Sequence, residues 1–185
     1  MALQSLHNKY LRVLEKIFSR SWLLTKLYIA IQDKIIIDEF SSIRIKDKSN
    51  VLVIGCGSIP NTVVSLAKIK KWNIVGIDKD KDAVDAAKKI IERYQLRNVE
   101  IKHADGKDTD LENFNLIVVA LGTEPKKEIL EKISKDAKKG TYIVCRTAGS
   151  FSLVFGKEEL NVRNLEILDR KMRKDGTESV ILIKR

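Results

Sequence analysis

The chain has 185 residues, 44% of them hydrophobic and 32% charged, with a formal net charge of +10 at pH 7. That is enough for one domain with a real core, and it excludes a disordered chain and a small disulfide scaffold. The two cysteines, Cys56 and Cys145, have neither metal-ligand spacing nor a disulfide framework, and no apolar run reaches the about twenty residues of a membrane span, so a soluble protein of the reducing cytoplasm is expected.

The first 48 residues read as an N-terminal helical extension. Leu3, Leu6, Tyr10, Val13, Leu14, Ile17 and Phe18 recur at steps of mostly three and four and fall on one helical face. A second helical stretch, about Trp22 to Ile31, is apolar on most sides; it either packs against the rest of the chain or covers a site. Ile35-Ile36-Ile37 is the end of that helix or an extended connector. The polar stretch Lys46-Asp47-Lys48-Ser49-Asn50 then opens a second region, residues 49–185, expected to be a cofactor-binding domain packed with the extension into one compact unit.

From there strands and helices alternate. Val51-Leu52-Val53-Ile54 is a continuous apolar run closed by Gly55, the pattern of a parallel strand buried on both faces. A helix over Asn61 to Lys71, a strand over Asn73 to Ile77 and a helix over Asp80 to Gln95 follow, the last with Ala83, Ala87, Ile90 and Tyr94 along its inner stripe. Val99 to His103 and Leu116 to Ala120 are the third and fourth strands, Pro125 opens a helix running to about Ala137, and Thr141 to Cys145 is the fifth strand. Leu165-Glu166-Ile167, the turn Asp175-Gly176 and the run Val180 to Ile183 make a C-terminal hairpin. Five parallel strands finished by an antiparallel hairpin predict a mostly parallel seven-stranded α/β sheet.

Four loops at the carboxyl ends of these strands carry the candidate chemistry, because ligands of open α/β sheets bind there. Gly55-Cys56-Gly57 lets the backbone turn sharply and approach a ligand, with Cys56 as a small filler rather than a nucleophile. Asp78 can accept hydrogen bonds from both ribose hydroxyls of an adenosine cofactor; it can also cap the next helix, for which Asp80 is at least as well placed. Lys79 is grouped with this site without an assigned contact. Asp105 is expected to meet an adenine amino group, or to be a turn residue before Gly106, and Ala104 to lend its N–H to the ring. His103 is expected to be a packed or solvent-facing strand end. Ala120-Leu121-Gly122 permits close approach of the other half of the cofactor, while Thr123 or Glu124 contacts an acceptor or caps the helix. A dinucleotide fingerprint would need a third glycine where Pro60 stands, and Pro60 also removes an N–H that a pyrophosphate would use, which disfavours a nicotinamide cofactor.

With these residues the sequence resembles class I S-adenosylmethionine (SAM)-dependent methyltransferases over about residues 50–185: the Gly55/Gly57 loop, Asp78, Asp105 and the terminal hairpin. The resemblance implies a Rossmann-like fold, SAM as cofactor and a methyl-transfer activity. It departs at Ile59, where a third glycine is usual. More narrowly, Gly55-Cys56-Gly57-Ser58-Ile59-Pro60-Asn61-Thr62 looks like the glycine–proline loop of nicotianamine synthase-like proteins, and Cys145-Arg146-Thr147-Ala148 is similar to their Arg-(Ser/Thr)-Ala motif, with Gly149 in place of the following histidine. That likeness implies the same fold with transfer of the aminocarboxypropyl group.

Arg146 is read either as a partner of a cofactor or acceptor carboxylate, or as a surface arginine. Candidates for a general base are Asp38, Glu39 and Glu124, or Tyr28 through a hydrogen bond. A small-molecule acceptor is the expected partner. The positive charge also admits RNA, and a non-catalytic SAM- or RNA-binding module is the remaining alternative; the densest basic run, Asp169 to Lys174, is expected on one face and at the end of the hairpin.

Overall fold

The computed structural model describes residues 21–152 and 160–185; the helix expected over Leu3 to Phe18 lies outside them. Helix α1 (Trp22–Glu39) starts at Ser21, whose hydroxyl accepts the Leu24 N–H, and runs through Ile35-Ile36-Ile37 rather than ending before them. The β-branched run stays helical because its positions face different surroundings: Ile36 is fully buried while Ile37 is exposed. Tertiary packing here overrides a weak local preference for extended structure.

The elements that follow are β1 (Asn50–Ile54), α2 (Asn61–Ile69), β2 (Asn73–Asp78), α3 (Lys81–Tyr94), β3 (Val99–His103), β4 (Leu116–Val119), α4 (Lys126–Asp136), β5 (Tyr142–Thr147), a single 3₁₀ turn (Gly149–Phe151), β6 (Leu165–Met172) and β7 (Glu178–Lys184). They build one seven-stranded sheet in the order β3-β2-β1-β4-β5-β7-β6. Strands β1 to β5 are mutually parallel, and β7 is antiparallel to both β5 and β6. The mostly parallel α/β fold with its antiparallel hairpin is therefore as the sequence predicts. The 3₁₀ turn is an addition.

The unbroken apolar runs have a direct structural cause. Along β1, Val51 and Val53 enter one core with Val63, Ile90, Ile29 and Ile36, while Leu52 and Ile54 enter a second core with Ile129, Leu130 and Ile133. Strand β4 divides the same way, Leu116 and Val118 to the first core, Ile117 and Val119 to the second. Each face is covered by helices, so from Val51 to Ile54 and from Leu116 to Val119 no position meets water and none needs to be polar. The edge strand β6 is the opposite case. It is exposed along most of its length and carries a register irregularity at Ile167/Asp169, which with its charges protects an open edge.

The basic run on that hairpin is engaged within the molecule. Arg170 pairs with Glu178 at 3.1 Å, Lys171 with Asp38 at 3.3 Å, and Arg173 lies 3.3 Å from Asp175. Among the described residues, no helix is long and apolar enough to cross a membrane.

Candidate functional site

The switch in strand order falls between β1 and β4, where connections leave β1 toward β2 on one side and reach β4 on the other. Side chains of neighbouring loops diverge at such a point and leave a crevice. Here it is a cavity of about 400 Å³, a size suited to a cofactor-scale ligand.

The glycine loop forms one wall. Gly55 and Gly57 have φ of +77° and +71°, and the N–H groups of Gly55 and Cys56 both donate to the Ile77 carbonyl, at 2.9 and 3.0 Å. The chain thus folds over the end of β2. Gly55 is required for a second reason: a Cβ there would lie 2.5 Å from Thr123 Oγ1. Thr123 holds that position because its hydroxyl donates to the Ile54 carbonyl at 3.1 Å and is buried. Thr123 does not cap the helix; its hydroxyl ties the β4 loop to β1, and the residue lines the cavity. Pro125, expected inside the first turn of α4, occupies its N-cap.

Asp78 faces this loop. One carboxylate oxygen accepts the Gly57 N–H at 2.9 Å and the other accepts the Asp80 N–H at 3.0 Å. Asp80 takes over the capping of α3 through the Asp82 and Ala83 N–H groups. A carboxylate has about four acceptor positions, so Asp78 is oriented by two backbone donors and retains capacity toward the cavity it lines.

Asp105 lines the cavity and also accepts the Lys107 N–H at 2.9 Å, so its turn role and its site position coexist. Ala104 requires a correction. Its N–H donates to the Asp78 carbonyl at 3.1 Å, because the β2–β3 ladder continues one residue past His103, and that donor does not point at a ring in the cavity. Lys79 Nζ donates to the Glu124 carbonyl at 3.0 Å, and His103 Nε2 lies 3.0 Å from the Lys79 carbonyl. Gly55, Cys56, Gly57, Asp78, Lys79, Ala104, Asp105, Ala120, Leu121 and Gly122 all line this one cavity.

The four candidate bases separate. Tyr28 and Glu124 line the cavity, and Gln32, one turn along α1 from Tyr28, joins them. Helix α1 therefore both packs, through Ile29 and Ile36, and walls the site. Asp38 is on the surface with Lys171. Glu39 is buried beneath the wall, where Arg146 holds it with two hydrogen bonds of 2.8 and 2.7 Å and Ser179 donates to it as well. Arg146 is thus not a surface arginine: three of its five donors are engaged, the third on Thr62 Oγ1 at 2.8 Å, and the residue also lines the cavity. Burial alone would push the Glu39 carboxyl up; the charge and hydrogen bonds of Arg146, then Arg173 and Ser179, outweigh it and hold the group below the usual carboxylate value.

Several cavity residues escaped the sequence reading, among them Thr62, Gly106, Phe151 and Arg173. Arg173 had one signal. A hairpin whose second strand pairs antiparallel to β5 must put its tip beside the carboxyl end of β5, and the tip is marked by Asp175-Gly176. Gly149 has a local explanation too. With φ of +55°, a Cβ there would lie 2.7 Å from backbone atoms of Gly176, Thr177 and Glu178, so this chain excludes any side chain at the position where nicotianamine synthase-like proteins carry histidine.

Comparison with known proteins agrees with this geometry. A probable cobalt-precorrin-6B C(15)-methyltransferase (decarboxylating) from Sulfurisphaera tokodaii is 35% identical over 108 residues, 56% of this chain and 56% of that protein. A protein of the same description from Methanococcus vannielii is 31% identical over 86 residues, 46% of each chain. The chain thus spans about half the length of the curated relatives it matches. Among solved structures, a point mutant of MtNAS in complex with S-adenosylmethionine superposes with a TM-score of 0.79 at 17% identity, covering 98% of this chain and 72% of that one. A SAM-dependent methyltransferase from Aquifex aeolicus gives 0.64 at 16% identity, over 83% and 89%. Both likenesses are of fold. The sequence model of the protein-L-isoaspartate(D-aspartate) O-methyltransferase (PCMT) family matches residues 32–145. That segment runs from within α1 into β5 and is more than half of the chain, taking in the glycine loop, Asp78 and the loop after β4, and so the chain belongs to this family of class I methyltransferases.

Proposed function

We propose that the protein is a SAM-dependent methyltransferase acting on a small-molecule acceptor in the cytoplasm, with residues 49–185 as its cofactor-binding domain. The observation that carries this reading is Asp78, a carboxylate fixed at the end of β2 by the Gly57 and Asp80 N–H groups and turned to the cavity. Such a group suits the paired hydroxyls of a ribose, while Gly55-Cys56-Gly57 and Ala120-Leu121-Gly122 admit the remainder closely. Asp105, Ala104 and Lys79 complete the adenosine end. The cofactor supplies a carbon activated by its sulfonium; the residues of this chain bind it, exclude water and orient the acceptor, which is where most of the rate enhancement then arises. Tyr28 and Glu124 are the groups placed to touch an acceptor, and Glu39 acts as the counter-ion that positions Arg146.

A second reading is aminocarboxypropyl transfer. It is favoured by the similarity of the Gly55-to-Thr62 loop to nicotianamine synthase-like proteins and by a fold likeness to MtNAS that covers almost the whole chain. The two readings differ in which carbon beside the sulfonium meets the acceptor. Incubation with SAM and a cell extract separates them: S-adenosylhomocysteine as product supports methyl transfer, methylthioadenosine supports the second reading, and the absence of both products with no SAM binding in calorimetry refutes the transferase assignment.

A further inference from the structure

We propose that Arg173 forms a carboxylate-binding subsite at the hairpin end of the cavity, where a carboxylate of the acceptor or of the cofactor completes the bonding of a guanidinium that the protein leaves short of partners. The inference deepens the transferase reading and rests on it for the identity of the cavity.

The Arg173 side chain is only 6% exposed, yet it lines the cavity. Its contacts are all long. One terminal nitrogen is 3.4 Å from the Thr177 hydroxyl, the other is 3.3 Å from Asp175, and Nε lies 3.7 Å from Glu39, buried and without a hydrogen-bond partner. Glu39 is committed elsewhere, to Arg146 at 2.7–2.8 Å and to Ser179. Asp175 is shared as well, since its other oxygen accepts the Thr177 hydroxyl at 2.6 Å and the Thr177 N–H at 3.1 Å.

A buried guanidinium whose Nε has no hydrogen-bond partner and whose carboxylates lie at 3.3 and 3.7 Å is costly, and the fork geometry of its five donors matches a carboxylate in two parallel bonds. A neutral amide or hydroxyl would give fewer bonds and no counter-charge. Burial, and then the positive charge of Arg146, work against the charge on Arg173, with Glu39 and Asp175 compensating only in part. An incoming anion supplies what is missing. The position also fits: β1, β4 and β5 separate the hairpin from β2, so Arg173 lies across the cavity from Asp78 and the ribose end.

The test titrates the wild-type protein with glutarate and with its uncharged analogue glutaramide, with and without saturating S-adenosylhomocysteine, following amide chemical shifts. Glutarate should shift resonances of residues 173–177 with an affinity at least tenfold above glutaramide, and Arg173→Gln should abolish that preference while Arg173→Lys restores part of it. Calorimetry of SAM and methylthioadenosine on the same proteins identifies the source. If the carboxylate is the cofactor's own, Arg173→Gln weakens SAM tenfold or more and leaves methylthioadenosine unchanged; if it is the acceptor's, both cofactor affinities are unchanged. Equal response to glutarate and glutaramide in the wild type, with SAM affinity unaffected by Arg173→Gln, overturns the subsite. Failure of the wild type to bind SAM while glutarate is still preferred refutes the transferase reading and leaves the subsite standing.

Discussion

Replacing Glu39 by glutamine keeps the size of the side chain and one acceptor oxygen, and removes the charge that two buried guanidinium groups share. The Glu39 side chain is 1% exposed, that of Arg146 7% and that of Arg173 6%. Breaking a buried pair by neutralising one partner costs roughly 3–5 kcal/mol, because the remaining charge has lost its solvation without keeping its counter-ion. A domain of this size has about 5–15 kcal/mol in total, and each kcal/mol moves the midpoint by roughly 2–4 °C. Glu39→Gln should therefore lower Tm by about 6–20 °C, measured by far-ultraviolet circular dichroism at pH 7 and confirmed by urea denaturation. Arg146→Met should cost less, by about 1 kcal/mol or more, since it leaves Glu39 with the Ser179 hydroxyl and with Arg173 only 3.7 Å away. A loss under about 1 kcal/mol for Glu39→Gln, or a larger loss for Arg146→Met, would falsify the view that one carboxylate neutralises the whole cluster.

The same carboxylate gives a pH dependence. Its folded pKa lies below the ordinary 4.5, so under pH 4.5 the unfolded chain takes up a proton that the folded chain does not, and stability falls as the pH drops through that window. The wild type should lose up to about 1.4 kcal/mol per pH unit more than Glu39→Gln between pH 4.5 and 3, by urea titration; parallel curves for the two proteins would remove Glu39 as the cause. Asp78→Ala should weaken SAM binding at least tenfold, about 1.4 kcal/mol, in calorimetry on protein shown to be folded, and unchanged affinity takes Asp78 out of the site. Gly149→Ala should destabilise by about 2 kcal/mol or more, since a Cβ meets hairpin backbone at a left-handed φ. Gly122→Ala, with nothing within 4 Å, is the matched control and should stay within about 0.5 kcal/mol of the wild type.

The sequence determined the sheet and the glycine-loop side of the cavity. A short apolar run closed by a glycine, such as Val51 to Ile54 before Gly55, is the pattern of a strand covered on both faces, and turn glycines at the carboxyl ends mark the loops at which a ligand can approach. Asp78 is legible for the same reason: the end of a strand places it, and its neighbours in sequence supply its partners. The hairpin side was decided by tertiary structure alone. Glu39, Arg146, Arg173 and Ser179 come from α1, β5, the hairpin tip and β7, as much as 140 residues apart, and no local pattern encodes their meeting. Sequence shows a charged side chain, whereas its role depends on which charges the fold buries beside it. That is why the sequence does not reveal that Arg146, at the cavity wall, is the bidentate partner of Glu39, or that Arg173, one of a basic run by sequence, is buried with its Nε lacking a hydrogen-bond partner.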